Sequence, residues 1–324
     1  MLLDRDDVES LLDMAELIPV VEQAQVQYSR GRAVQPMRLG VRLPRYPGSL
    51  ELMPGYLEES DALAVKVLTV RPENAGKGLP LVHATILLQD PSSGRLLAIL
   101  DGASVTAART AAVSGVATSY LARQDSSSLA IVGTGRQART HLWAMTVVRP
   151  IRQIRAYDRQ PEAARAFKDE MEGRFGLPVE ITSTAEEAVR GADIVVLSTS
   201  TVEPVVQSGW VQPGMHFNSI ASATTQVREM DSETIRMSKV VVDSREAALK
   251  EAGDILIPIS EGLIGPDHIY AEVGEIAAGA RPGREDDREV TVYKSLGLAI
   301  QDAAAAKLLY EKARRAGLGT EVAI

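Results

Sequence analysis

A short apolar run, Ser128-Leu129-Ala130-Ile131-Val132, ends in Gly133-Thr134-Gly135-Arg136-Gln137-Ala138 and passes at once into a helical pattern. No other stretch constrains the fold of this chain as strongly. Gly133 suits a tight turn after a strand, Gly135 carries no Cβ to obstruct a pyrophosphate, and Ala138 is small enough for close helix–strand packing. A helix starting here aims its unpaired N–H groups and positive dipole end at an anion. A second strand-like run, Ile154-Arg155-Ala156-Tyr157, ends at Asp158, twenty residues past Ala138, where an acid can bind the adenosine ribose. A lone glycine pattern is weak evidence. Strand, turn, helix and acid in register predict a dinucleotide site.

The expected cofactor contacts are therefore Gly133, Thr134, Gly135, Arg136, Gln137 and Asp158, with Arg159 beside them. The charge of Asp158 repels a 2′-phosphate and favours NAD(H), whereas Arg159 could hold that phosphate, so NADP(H) stays open. Thr199, Ser200 and Ile220, around the ends of later strand-like runs, and Lys294 complete the expected set. Lys294 could instead cap the helix that follows it.

From residue 128 the pattern alternates: strand 128–132, helix 136–148, strand 152–157, helix 161–174, then strands 193–199, 214–220 and 239–242. That alternation predicts an α/β fold with a doubly wound, Rossmann-type parallel sheet. The preceding region reads differently. It offers a helix over 4–30 stopped at Gly31, strands near 50–53 and 62–70, and a hairpin of Leu81–Gln89 with Arg95–Leu100 through Asp90-Pro91-Ser92-Ser93-Gly94. Ser295 to Arg315 reads as one alanine-rich helix, and Arg281 to Asp287 as a solvated loop. At about 150 residues per domain, the chain of 324 makes two. We expect an α+β domain from 1–115 with 296–324 and a dinucleotide domain from 116–295. A substrate would meet a nicotinamide in the cleft between them.

Composition narrows the function classes. A net charge of −8, without a basic stripe interleaved with aromatics, argues against nucleic acid and anionic membranes as partners. No apolar run approaches the roughly 18 residues of a spanning helix, and the N-terminus is acidic where a secretory signal is basic. Without cysteine there is no disulfide, thiolate chemistry or Cys-ligated zinc, and the four histidines lack metal-ligand spacing. A cytoplasmic, metal-independent protein is the simplest expectation.

Two cations stand out as candidate catalytic and substrate-binding groups. Arg109 lies in the small-residue helix Thr106-Ala107-Ala108-Arg109-Thr110-Ala111-Ala112. With Ser104 or Thr106 as N-cap it falls in or near the first turn, where a bound anion would offset its clash with the helix dipole; otherwise it is a solvated arginine with its stem over alanines. Lys66 interrupts the apolar strand Leu63-Ala64-Val65-Lys66-Val67-Leu68. It sits either at a sheet edge with its ammonium in water, the commoner case, or buried against an anion with a lowered pKa suited to proton transfer. Arg38 could reach a carboxylate or be a surface arginine. Glu251, a further substrate-binding candidate, reads most simply as a solvated helix-end acid, and His83 and His216 as satisfied core histidines.

Several stretches together resemble the ornithine cyclodeaminase/mu-crystallin family: Leu52-Met53-Pro54; Asp101-Gly102 with Thr106 to Ala112; Gly133 to Ala138; Asp243 to Glu251; and Lys294-Ser295-Leu296-Gly297-Leu298-Ala299. The resemblance runs over about residues 5 to 312. It implies a homodimer whose N-terminal domain, completed by C-terminal residues, binds substrate and dimerises, with a Rossmann domain between. It also implies NAD(H) or NADP(H), small amino acids or their imines as substrates, and a substrate carboxylate bound by Lys66 and Arg109.

Two departures set the branch. Ala223 stands where cyclodeaminases and related alanine dehydrogenases carry an aspartate, and Glu51 stands where they have an arginine before the Met-Pro pair. Both resemble the mu-crystallin, ketimine reductase branch. The expectation is an NAD(P)H-dependent reductase of small cyclic imine carboxylates, or a related amino-acid dehydrogenase. A cyclodeaminase-type lyase with recycled NAD and a non-catalytic dinucleotide-dependent binding protein are the alternatives.

Overall fold

The computed structural model describes residues 1–220 and 224–322. In chain order the strands and helices are β1 (Leu2–Leu3), α1 (Arg5–Leu11), α2 (Met14–Ser29), β2 (Ala33–Val34), β3 (Leu39–Arg42), β4 (Ser49–Leu57), β5 (Ala62–Val70), β6 (Val82–Gln89), β7 (Leu96–Asp101) and α3 (Gly102–Leu121). They continue with β8 (Ser128–Val132), α4 (Arg136–Val148), β9 (Gln153–Tyr157), α5 (Pro161–Phe175), β10 (Val179–Ile181), α6 (Ala185–Val189), β11 (Ile194–Leu197), β12 (His216–Ser219), α7 (Ser232–Arg236) and β13 (Lys239–Val242). The last are α8 (Arg245–Glu251), α9 (Gly253–Ser260), β14 (Ile269–Glu272), α10 (Val273–Ala277), β15 (Thr291–Lys294) and α11 (Ala299–Ala316). The chain divides into two compact units, Met1–Arg109 with Gly297–Ile324, and Thr110–Leu296.

The first unit is a mostly antiparallel sheet in the order β1-β7-β6-β5-β4-β2, with β3 also on β4. Strand alternation puts Met53, Leu57, Ala62, Ala64, Lys66, Ile86, Leu88, Ala98 and Leu100 on one buried face. Helix α11 packs across β4, β5 and β6 and against α2. Gly55 allows this approach, because a Cβ there would lie 2.9 Å from the Ala299 carbonyl carbon and the Ile300 nitrogen. The β6–β7 hairpin forms as expected, its turn held by Asp90 Oδ1, which accepts from the Ser92 and Ser93 amides, and by Gly94 at φ +71°.

The second unit holds eight parallel strands in the order β10-β9-β8-β11-β12-β15-β13-β14. The order reverses between β8 and β11, which is where ligands bind in open α/β sheets. Strands β8, β11, β12 and β15 are buried almost throughout, as parallel strands covered on both faces must be. The fold is α/β with a Rossmann-type sheet.

Some elements differ from expectation. The helix over 4–30 is two helices, because Asp13 leaves the helical path and caps α2 by accepting from the Ala15 amide at 2.8 Å. The last helix starts at Ala299 rather than Ser295: residues 291–294 form β15, and Gly297 sits at φ +81°, outside helical space. His83 is exposed on β6 and is no core histidine, since strand alternation puts it on the face opposite Ile86 and Leu88. His216 is one: it is fully buried between Thr118 Oγ1 at 3.2 Å and Thr291 Oγ1 at 2.9 Å, and burial pushes its pKa down to about 3. Among the described residues no helix is long and apolar enough to cross a membrane, and no group of three or more His, Asp or Glu is placed to hold a metal ion.

Candidate active site

The first unit buries a charged cluster under α11. Strand β5 lies inside the sheet, between β4 and β6, so Lys66 is not an edge residue. Its side chain is 2% exposed, and its Nζ lies 2.7 Å from Asp302 Oδ2. The other oxygen of Asp302 accepts from Arg109 Nε at 2.9 Å, and Gln301 Oε1 accepts from Arg109 Nη1 at 2.7 Å. Arg109 is not in the first turn of its helix. Helix α3 starts at Gly102, directly after β7, with Asp101 accepting from the Ser104 amide at 3.0 Å. Its partners, rather than a helix dipole, compensate the guanidinium. Gly297 makes room for it: a Cβ there would stand 2.7 Å from Arg109 Nη1.

Electrostatics follow from this geometry. Burial lowers the Lys66 ammonium to about 8, helped by the charges of Arg109 and Arg38 and opposed by Asp302. Burial alone would raise the Asp302 carboxyl, but Arg109 and Lys66 outweigh it and hold the group below the usual carboxylate range. Two buried cations share one buried carboxylate. The cluster carries a net positive charge, and a further carboxylate would balance it. Arg38 lies near its rim, with Nη1 3.6 Å from Glu51 Oε2.

The second unit supplies the dinucleotide cradle. Gly133 sits at φ +86°, and a Cβ on it would stand 2.7 Å from the Ser198 carbonyl oxygen, so this turn requires glycine. Ser198 Oγ donates to Gly133 O at 2.8 Å, and Arg139 Nη1 donates to the carbonyls of Thr134 and Gly135. Helix α4 has no side-chain cap at its N-terminus, and a Cβ at Gly135 would meet nothing within 4 Å. Open space before uncapped amides fits a pyrophosphate. Asp158 ends β9 and braces the turn: its Oδ2 accepts from Thr134 N at 2.7 Å and Thr134 Oγ1 at 2.9 Å, and its Oδ1 from Gln160 N at 2.9 Å. Arg136 and Arg159 are exposed and Gln137 is half-buried.

Comparison with known proteins decides the family. The family model for the ornithine cyclodeaminase/mu-crystallin family matches residues 1–317. The chain belongs to this family.

Among solved structures it is similar to Δ1-pyrroline-2-carboxylate reductase from Thermococcus litoralis in complex with NADH and L-proline, at 49% identity and TM-score 0.97 over 99% of this chain and 100% of that one. An archaeal alanine dehydrogenase dimer with bound NAD shares 37% identity at TM-score 0.93, over 100% of this chain and 98% of that one. A curated relative, Δ1-pyrroline-2-carboxylate reductase of Bacillus cereus, is 38% identical over 323 residues, 99% of each chain. With such relatives over nearly its full length, the chain is an NAD(P)-dependent oxidoreductase acting on CH–NH or C=N bonds of amino-acid-like compounds.

A second buried network underlies the remaining cofactor candidates of this family member. Glu229 is fully buried. Its Oε1 accepts from Thr199 N at 2.7 Å and Thr199 Oγ1 at 2.9 Å, and its Oε2 from Ser219 Oγ at 2.9 Å and Ile220 N at 3.0 Å. One side chain thus ties the residues that follow β11 to those that follow β12. Burial raises its carboxyl against the opposing charge of Lys294. Lys294 is 1% exposed, with its ammonium 2.9 Å from Asp254 Oδ2 and 3.2 Å from Ser219 Oγ. That corrects one reading of it: Lys294 does not cap α11, because Asp254 and Ser219 hold its charge inside the unit. Ser200 is exposed beside Thr199, and Glu251 is half-buried at the end of α8. Ala223 lies outside the described residues.

Asp302, Gln301, Glu229, Asp254 and Arg139 went unnoticed in the sequence. For Asp302 a signal existed: Gln301 and Asp302 are adjacent polar residues in the otherwise apolar run Ile300 to Ala306 of the helix.

Proposed function

We propose that this enzyme reduces the C=N bond of a small cyclic imine carboxylate, Δ1-pyrroline-2-carboxylate or its six-membered homologue, with NADH, giving proline or pipecolate. The observation that carries this reading is the buried net positive charge of Lys66 and Arg109 around Asp302. Binding a substrate carboxylate there removes the cost of that charge and orients the ring. Arg109 binds the carboxylate, with Asp302 and Gln301 fixing the plane of its guanidinium. Lys66, with a pKa of about 8, holds a proton at neutral pH and is close enough to neutrality to give it to the imine nitrogen. Bound reduced nicotinamide supplies the hydride that the imine carbon accepts.

The cradle residues that would hold this cofactor are Gly133 to Gln137 and Asp158, with Thr199, Ser200 and Ile220 bordering it. Asp158 beside the ribose position, and the NADH and NAD of the two similar structures, support NAD(H) over NADP(H). Ala223 has no proton acceptor, so the sequence at that position does not favour cyclodeaminase chemistry.

The proposal includes a homodimer working in the cytoplasm. All four residues of β3 are exposed, with Leu39 and Val41 at 59% and 43%, and Leu79 and Leu81 of the same unit are also exposed. Apolar exposure of this kind suits a subunit interface, and the similar alanine dehydrogenase is a dimer. Light scattering on the purified protein tests the assembly. Absorbance at 340 nm with NADH and each imine tests the reaction. Oxidation of NADH supports it, and silence together with ammonia release from ornithine would replace it with the lyase reading.

A further inference from the structure

We infer that the Arg38–Glu51 pair restricts this site to substrates with a single carboxylate. The inference rests on the imine-carboxylate reading and concerns which imines are accepted. In the β4–β5 ladder Met53 faces Lys66 and Glu51 faces Leu68. Cross-strand partners and alternate residues share a face, so Glu51, Met53, Lys66 and Leu68 all lie on the face that carries the charged cluster. Glu51 stands two residues from Met53, about 7 Å along the strand. Its carboxylate has Ser49 Oγ as a donor to Oε1 at 3.1 Å and Arg38 Nη1 3.6 Å from Oε2. Arg38 and Glu51 are each 21% exposed, so the pair is largely withdrawn from open solvent. The charge of Arg38 also depresses the Lys66 ammonium, in keeping with its pairing to a residue on the same face.

In the ion pairs described on this face, three cations, Lys66, Arg109 and Arg38, meet two carboxylates, Asp302 and Glu51. The surplus is one positive charge. One substrate carboxylate neutralises it. A second would leave a net negative charge and would approach an arginine that already has a carboxylate beside it, next to the repelling charge of Glu51. Glu51 thus acts as a specificity residue by subtraction: it cancels the cation that a second carboxylate requires.

Two ring-matched compounds test this, Δ1-piperideine-2-carboxylate and Δ1-piperideine-2,6-dicarboxylate, with NADH oxidation as the readout. Wild type is expected to favour the monocarboxylate by about 100-fold in kcat/KM, the scale of one misplaced charge in a partly desolvated site. Glu51→Gln removes the negative charge at nearly constant volume and should shrink that ratio on the order of tenfold. Glu51→Asp keeps the charge and should keep the ratio. Because the ratio is internal to each variant, a loss of folded protein cancels, and Glu51→Ala offers a second route to the same charge change. Equal use of both compounds by wild type, or an unchanged ratio in Glu51→Gln and Glu51→Ala, overturns the inference while leaving the imine-carboxylate reading intact. If wild type is inactive on both compounds, the same pair is run with five-membered rings, Δ1-pyrroline-2-carboxylate and Δ1-pyrroline-2,5-dicarboxylate; inactivity on these as well refutes that reading, and this inference with it.

Discussion

Replacing Asp302 with asparagine probes the centre of the site most sharply. The side chain keeps its shape, but the carboxylate shared by Lys66 and Arg109 is lost, at contacts of 2.7 Å and 2.9 Å in a region 1–5% exposed. Removing one partner of a buried ion pair costs about 3–5 kcal/mol. Lys66 can relieve part of this by shedding its proton, which places the expected loss near the lower end, about 3 kcal/mol. At about 2–4 °C per kcal/mol, Tm should fall by about 6–12 °C, measured by thermal denaturation in the absence of ligand. The second consequence is in pH dependence. Asp302 raises the Lys66 pKa, so without it the value falls below the wild-type figure of about 8. The ammonium is the proton-donating form, so activity is present below this pKa and disappears above it. The alkaline limb of kcat/KM, near pH 8 in the wild type, should move to lower pH by about one unit or more in the variant. A variant with Tm within about 2 °C of wild type and an unmoved limb would refute the shared-carboxylate account.

Other consequences are equally direct. Arg109→Met should lower kcat/KM for Δ1-pyrroline-2-carboxylate by about 100-fold or more, the cost of losing a buried charged hydrogen-bonding partner; unchanged kinetics would remove Arg109 from carboxylate binding. Glu229→Gln presents an amide donor to some of the donors of Thr199, Ser219 and Ile220. It should raise KM for NADH on the order of tenfold while changing kcat less, and stopped-flow or steady-state titration of NADH would show whether the split is the reverse. Asp158→Ala should shift the NADH/NADPH ratio of kcat/KM toward NADPH by about tenfold or more; a ratio that stays put would assign cofactor choice to other residues.

What the sequence made legible was local. Strand β8, the Gly133 turn and α4 were readable because each is determined by residues adjacent in the chain: an apolar run, a glycine at positive φ, an uncapped helix start. The β6–β7 hairpin was readable for the same reason, through Asp90 and Gly94. Lys66 and Arg109 stood out as polar intrusions into apolar elements. What remained hidden was their partner. Asp302 lies 193 residues from Arg109, and only the packing of α11 over β5 brings it there. The interior position of β5, which turns Lys66 from an edge residue into a buried one, likewise depends on pairing with β4 and β6. Strand β15 enters the sheet between β12 and β13, although it comes last in the chain, and this placement buries Lys294 against Asp254. Strand β3 escaped notice because its four residues are all exposed and show no alternation.

The central claim is that the buried surplus charge of Lys66 and Arg109 seats the carboxylate of a cyclic imine. The most direct test compares kcat/KM for Δ1-pyrroline-2-carboxylate with that for 1-pyrroline, the same ring without the carboxylate, using NADH and wild-type enzyme. The account predicts a preference for the carboxylate of about a thousandfold, consistent with the ~3–5 kcal/mol scale of a buried charge pair. Comparable efficiency with the two rings would contradict it.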